Sequence, residues 1–150
     1  METPSNNIHR SIYVLLVEDN LGDATLISEA FKNSKKPILI ARVKDGEEAL
    51  QYLRREGCYD KAFRPDLILL DLNMPKKSGL EVLGEIKTDP RLSEIPVVIL
   101  TNSKLESDVK RAYESRANYY MIKPSDLDQL FESMRYVEDV WIRSVASPDD

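Results

Sequence analysis

Apolar and polar positions along this chain fall into two alternating patterns. Five short apolar runs are separated by longer stretches in which apolar residues recur at helical spacing. The runs are Ile12 to Val17, Ile38 to Val43, the stretch that begins at Leu67, Pro96 to Leu100, and Asn118 to Ile122. The third reads Leu-Ile-Leu-Leu, lies between Pro65 and Pro75, and shows no polar alternation. That is the signature of a strand covered on both faces, as strands of a parallel sheet are.

The intervening stretches predict helices. After Leu21, the residues Leu26, Ile27, Ala30 and Phe31 share one face of a helix ending near Asn33. Beyond a turn at Asp45-Gly46, a stripe of Ala49, Leu50 and Leu53 is closed by Gly57. A third helix runs from Ser78 to about Thr88, turns Leu80, Leu83 and Ile86 inward, and ends at Asp89-Pro90. The fourth has only Val109, Ala112 and Tyr113 to bury, and so thin a stripe predicts a weakly anchored, mobile element. The last, capped by Ser125 or Asp126, runs to roughly Arg143 and buries Leu127, Leu130, Phe131, Met134, Val137 and Trp141. Tyr136 and Val140 fall off that face; with Trp141 they are either core or a contact for a second copy of the chain. Strict alternation of strands and helices predicts a single α/β domain of three layers: a doubly wound, five-stranded parallel sheet with helices on both faces.

Composition narrows the classes of function. A net charge of -5 with 31% charged residues of both signs is an ordinary soluble surface, without the basic face of a nucleic-acid-binding module. The single cysteine, Cys58, excludes an internal disulfide, and no signal peptide or membrane span is visible, so the expected location is the cytoplasm. Residues 1–10 read as a loose polar arm, with His9 a solvated bystander in it.

The candidate chemistry lies where the strands stop. Glu18 and Asp19 follow the first, Asp71 ends the third, Thr101 ends the fourth and Lys123 follows the fifth. In an open α/β sheet, these carboxyl ends border the crevice in which ligands bind. Taken alone, Asp71 is either a cap for the following turn or an active carboxylate. With the flavodoxin-like strand order 2-1-3-4-5, the first and third strands become neighbours and three carboxylates crowd together. Their mutual repulsion would raise their pKa values unless a cation neutralised them. Oxygen donors without His or Cys suit Mg²⁺ or Ca²⁺, and so few protein ligands favour Mg²⁺, which keeps waters and a phosphate. A cation, an ammonium and a hydroxyl facing one carboxylate suit phosphoryl transfer, with Asp71 as nucleophile and acceptor.

These residues resemble the receiver domain of two-component response regulators over about Ser11 to Val145, with residues 146–150 as a tail. The matching pieces are Glu18-Asp19, the Asp-x-x-Met-Pro-x-x-x-Gly motif from Asp71 to Gly79, Thr101, and Lys123-Pro124. The resemblance implies phosphorylation of Asp71. It also implies Mg²⁺ held by Asp19, Asp71 and the backbone carbonyl of Asn73, with Glu18 acting through water. Thr101 and Lys123 would bind the phosphoryl group, and Tyr120 would be an aromatic switch. The long loop from Gly57 to Pro65, the wording around Asp71 and the late Trp141-Ile142 are similar to stand-alone receivers paired with phytochrome-type histidine kinases. Asn102 departs from the small residue common after the threonine.

The partners implied are a sensor histidine kinase and a downstream protein target or phosphotransfer protein, with no direct nucleic acid or membrane contact. A homodimer through the last helix is a further expectation, as is a cis bond at Lys123-Pro124 that would aim the lysine inward. Three other functions compete for these residues. A haloacid-dehalogenase-like phosphatase lacks its second aspartate, since Asn73 stands there, and a nucleotide-binding loop is contradicted by Glu18-Asp19. The third is a phosphorylation-independent binding module of the same fold.

Overall fold

The computed structural model describes residues 11–32, 34 and 36–142. The amino-terminal arm with His9, residue Asn33, and the tail expected at 146–150 lie outside the described residues.

Five strands form one parallel sheet in the order β2-β1-β3-β4-β5. They are β1 (Ile12–Val17), β2 (Ile38–Val43), β3 (Leu67–Leu70), β4 (Val97–Thr101) and β5 (Tyr119–Ile122). The helices are α1 (Leu21–Ala30), α2 (Gly46–Arg54), α3 (Gly79–Thr88), α4 (Glu106–Glu114) and α5 (Leu127–Val137). Side chains of a strand point alternately to its two faces, so the sheet separates two cores. On one side, Leu15, Val17, Ile68, Leu70, Val97 and Ile99 pack under α2, α3 and α4. On the other, Val14, Leu16, Leu67, Leu69, Val98 and Leu100 pack under α1 and α5. All four residues of β3 are completely buried, each contributing about 1.5–3 kcal/mol by leaving water.

Several expectations were refined. Asn20 caps α1 by accepting from the Asp23 amide, which sets a register that buries Ala24, Ile27 and Phe31 and leaves Leu26 42% exposed. Helix α2 stops at Arg54 because Arg55 takes a left-handed conformation, two residues before the predicted stop at Gly57. Ser78 and Glu81 form a capping box at the start of α3. In α4 only Ala112 is buried, so the stripe is thinner than predicted; Tyr113 is exposed. Asp126 caps α5 by accepting from the amides of Asp128 and Gln129. Leu127, in the first turn of that helix, is exposed instead of inward, and Phe131 and Trp141 are half-buried. The helix widens to a π-helical turn over Glu138–Ile142, which shifts the register and carries Ile142 into the core. No peptide bond among the described residues is cis. Lys123–Pro124 is therefore trans; the Lys123 amide continues the parallel ladder by donating to the Thr101 carbonyl at 2.7 Å, and from there the lysine's long stem reaches the acids without a cis bond to aim it.

Candidate functional site at the carboxyl edge of the sheet

The ladder extends one residue past the strands and thereby places the site. The Glu18 amide donates to the Val43 carbonyl at 3.0 Å, and the Asp71 amide donates to the Val17 carbonyl at 3.1 Å. Glu18 and Asp71 thus follow the neighbouring strands β1 and β3, and Lys123 follows β5, two strands beyond β3, at the same edge. Carboxylate oxygens of Glu18, Asp19 and Asp71 all lie within 4.8 Å of one another. The Lys123 ammonium enters among them, with Nζ 2.6 Å from Glu18 Oε1, 2.9 Å from Asp23 Oδ2 and 3.1 Å from Asp71 Oδ2.

Burial makes these contacts strong. The side chains of Glu18, Asp71 and Lys123 are 1%, 7% and 9% exposed. Burial pushes the Glu18 carboxyl up, the nearby Asp71 charge adds to the rise, and the bonds from Lys123 and the Asn20 amide oppose it. Lys123 itself is held well above the ordinary lysine value: desolvation opposes its charge, but its acidic partners Glu18, Asp23 and Asp71 outweigh that. The crowding predicted for the acids is therefore relieved in part by this lysine.

The backbone around the acids is fixed from two directions. Arg42, one strand over on β2, donates from Nε to the Glu18 carbonyl at 2.9 Å and from Nη2 to the Asp19 carbonyl at 3.1 Å. At Gly79 an added Cβ would lie 2.3 Å from the Asp71 carbonyl oxygen and 2.6 Å from Leu72 Cα. Only glycine permits α3 to begin so close to the segment that carries Asp71. The Asn73 amide donates to Asp71 Oδ1 at 3.2 Å, which orients the carboxylate.

Thr101 is fully buried at the end of β4, and its Oγ1 accepts from the Ser103 amide at 3.4 Å. Tyr120 is half-buried against the core under α2 to α4 and donates from Oη to the Ser103 carbonyl at 2.9 Å. Ser103 thus joins Thr101 and Tyr120. Of the predicted residues, Glu18, Asp19, Asp71 and Lys123 form one charged cluster, with Asn73 bonded to it. Thr101 and Tyr120 lie on the adjacent strands β4 and β5, two positions apart in register, and their hydroxyls are engaged with Ser103.

Asp23 and Arg42 were not singled out from sequence. The signal for Asp23 lay in Asn20, whose cap fixes the first turn of α1; no pattern in the sequence announces Arg42.

The donor set fits a hard divalent cation, since it consists of closely spaced carboxylate oxygens with no nitrogen or sulfur ligand. Among the described residues, no helix is long and apolar enough to cross a membrane.

Comparison with known proteins agrees with this geometry. Residues 14–135 match the model of the response regulator receiver domain. Response regulator Rcp1 of Synechocystis sp. is 44% identical over 135 residues, 90% of this chain and 92% of that protein. The crystal structure of the phosphorylated cyanobacterial phytochrome response regulator RcpA superposes with a TM-score of 0.87 at 49% identity, covering 90% of this chain and 96% of that one. The Mn²⁺-bound form of Rcp1 superposes with a TM-score of 0.84 at 43% identity, covering 89% and 96%.

Proposed function

This chain belongs to the response regulator receiver domain family, and from that premise we propose that it takes a phosphoryl group onto Asp71 from the phosphohistidine of a sensor histidine kinase. The similarity to a cyanobacterial phytochrome response regulator favours a kinase of the phytochrome type. The observation that carries the reading is the Lys123 ammonium 3.1 Å from Asp71, beside an acid cluster spanning 4.8 Å.

In the proposed reaction, an Asp71 oxygen attacks phosphorus, the phosphorus–nitrogen bond to the kinase imidazole breaks, and that nitrogen keeps the bonding electron pair, the ring leaving neutral because its other nitrogen carries a proton. Asp19, Asp71 and the Asn73 carbonyl would hold Mg²⁺, with Glu18 acting through water; Mg²⁺ would neutralise charge on the transferring group. Lys123 and the Thr101 hydroxyl then bond the phosphoryl oxygens. Charge-assisted bonds contribute roughly 1.5–3 kcal/mol each, and swinging a two-state equilibrium from 1:99 to 99:1 takes about 5.5 kcal/mol. Two such bonds nearly suffice. Thr101 would exchange its contact with Ser103 for the phosphoryl group, and Tyr120, bonded to the same Ser103, would respond.

The receiver unit in this reading is 11–145, flanked by the arm and the tail, and works in the cytoplasm where a kinase phosphohistidine is presented. Its output goes to a protein target or a phosphotransfer protein. The face formed by Tyr119, Tyr136 and Trp141, with Val140 exposed beside it, suits a second copy of the chain.

The test is incubation with acetyl phosphate and Mg²⁺ beside Asp71→Asn. The wild type should gain an acid-stable, hydroxylamine-labile phosphate and the variant none. A wild type that gains none leaves the phosphorylation-independent binding module as the better account.

A further inference from the structure

Asp23 is a carboxylate that the proposed chemistry does not use. It sits in the first turn of α1, its amide tied to Asn20 Oδ1 at 2.8 Å, and its side chain is 38% exposed. It is not one of the three acids grouped closely enough to share a metal ion. Yet its Oδ2 is 2.9 Å from Lys123 Nζ, nearer than Asp71 at 3.1 Å. Asp23 and Lys123 also line one side of a small cavity of about 40 Å³, with Leu26, Ile27, Pro124 and Leu130 around it.

An ammonium has three donors and no more. Here they face Glu18, Asp23 and Asp71, so the lysine has none to spare for an incoming phosphoryl oxygen. One bond must be given up. Asp71 is itself the group that reacts, so the choice falls between the two bystander acids: releasing Glu18, 1% exposed, would strand a buried carboxylate, whereas releasing Asp23 exposes a group that water can solvate. Of these two, the Asp23 bond is the cheaper to give up.

We propose that Asp23 is a positioning residue acting through Lys123: it competes with the phosphoryl group at Asp71 for the ammonium and so restrains phosphoryl uptake. This rests on the reading of Asp71 as acceptor. Asp23 also adds a negative charge beside the group that must receive an anionic donor, which works in the same direction. Removing the charge frees a lysine donor and lowers the repulsion at once.

The experiment uses the full chain with acetyl phosphate at saturating Mg²⁺ and compares wild type, Asp23→Asn, Asp23→Glu and Asp71→Asn. Asp23→Asn should take phosphate about fivefold faster, or ~1 kcal/mol off the barrier, while the Mg²⁺ half-saturation point stays within about twofold. Asp23→Glu should return the rate toward wild type. The Lys123 ammonium resonance, recorded without phosphodonor, should shift in Asp23→Asn and recover in Asp23→Glu. A merely structural acid at the start of a helix would lower the melting temperature and leave rate and resonance unchanged; that result overturns the proposal. An unmoved resonance overturns the contact itself whether or not phosphate is taken up. A wild type that takes no phosphate, together with the described resonance shift in Asp23→Asn, refutes the acceptor role of Asp71, and with it the restraint on uptake.

Discussion

Arg42 offers the sharpest test of how the acid pair is held. Its planar guanidinium bonds two successive carbonyls, those of Glu18 and Asp19, at 2.9 and 3.1 Å. Arg42→Lys keeps the charge and loses the fork, since one ammonium on a flexible stem cannot hold both peptides in one orientation. Because Arg42 is exposed, water replaces much of what is lost, and the cost in global stability should be only about 1 kcal/mol. Cation binding should suffer more. Loosening the partners that orient first ligands typically costs on the order of tenfold in metal affinity, or ~1.4 kcal/mol. Arg42→Met removes the fork and also a positive charge that repels the cation; that relief is worth less than about 1 kcal/mol at a solvated surface. The lysine variant should therefore bind Mg²⁺ about tenfold more weakly than wild type and the methionine variant should fall between the two. Isothermal titration calorimetry at fixed ionic strength reads both. A lysine variant within twofold of wild type would refute the claim that this fork orients the acids.

Three further outcomes follow from the packing. Gly79→Ala should cost about 2–3 kcal/mol in urea unfolding, because its Cβ would collide with the Asp71 carbonyl and Leu72 Cα, and it should slow phosphate uptake as Asp71 is displaced; unchanged stability would show that α3 can simply retreat. Lys87 is 7% exposed, and its ammonium donates to the carbonyls of Ser93 and Ile95 and to Asn118 Oδ1. Lys87→Met leaves all three acceptors unpaired by it and should destabilise the protein by about 3 kcal/mol, visible in the thermal midpoint. Glu85 is held below its ordinary pKa of 4.5, chiefly by the bond from Lys77 and then by Arg54. It keeps its charge to lower pH when folded than when unfolded, so its stabilisation is complete above about pH 4.5 and is lost as the pH falls through the lowered folded value. The Glu85 side chain is 36% exposed, so solvent screening keeps the contribution small. Glu85→Gln should flatten that part of the acid unfolding curve, and an unchanged curve would assign the slope to other carboxylates.

The frame was legible in the sequence because apolar runs and helical stripes have different periods. Ile12–Val17 and Ile38–Val43 match the observed strands residue for residue, and the strand ends named the charged groups that meet. What failed was local. Leu26 and Leu127 were placed inside because both are apolar at roughly helical spacing, yet the caps at Asn20 and Asp126 rotate each helix so that its neighbours face the sheet. Trp141 was counted as core, but the π-helical turn leaves it half-buried against Tyr119 and Tyr136. Asp23 and Arg42 were invisible for a different reason. Their roles depend on which strands and helices lie side by side, and charged residues at such positions are common on any surface.

The two central strands and the edge strand differ in how tightly they are gripped. Every residue of β3 and β4 is buried, whereas β5 is half-buried to exposed and α4 buries Ala112 alone. A load applied at Asp71 therefore meets an anvil, and whatever yields must yield two strands away, at β5. Amide hydrogens of Leu67 to Leu70 should be among the last to exchange with deuterated solvent in every state of the protein. The rim bearing Tyr120 is where a change of state should become readable.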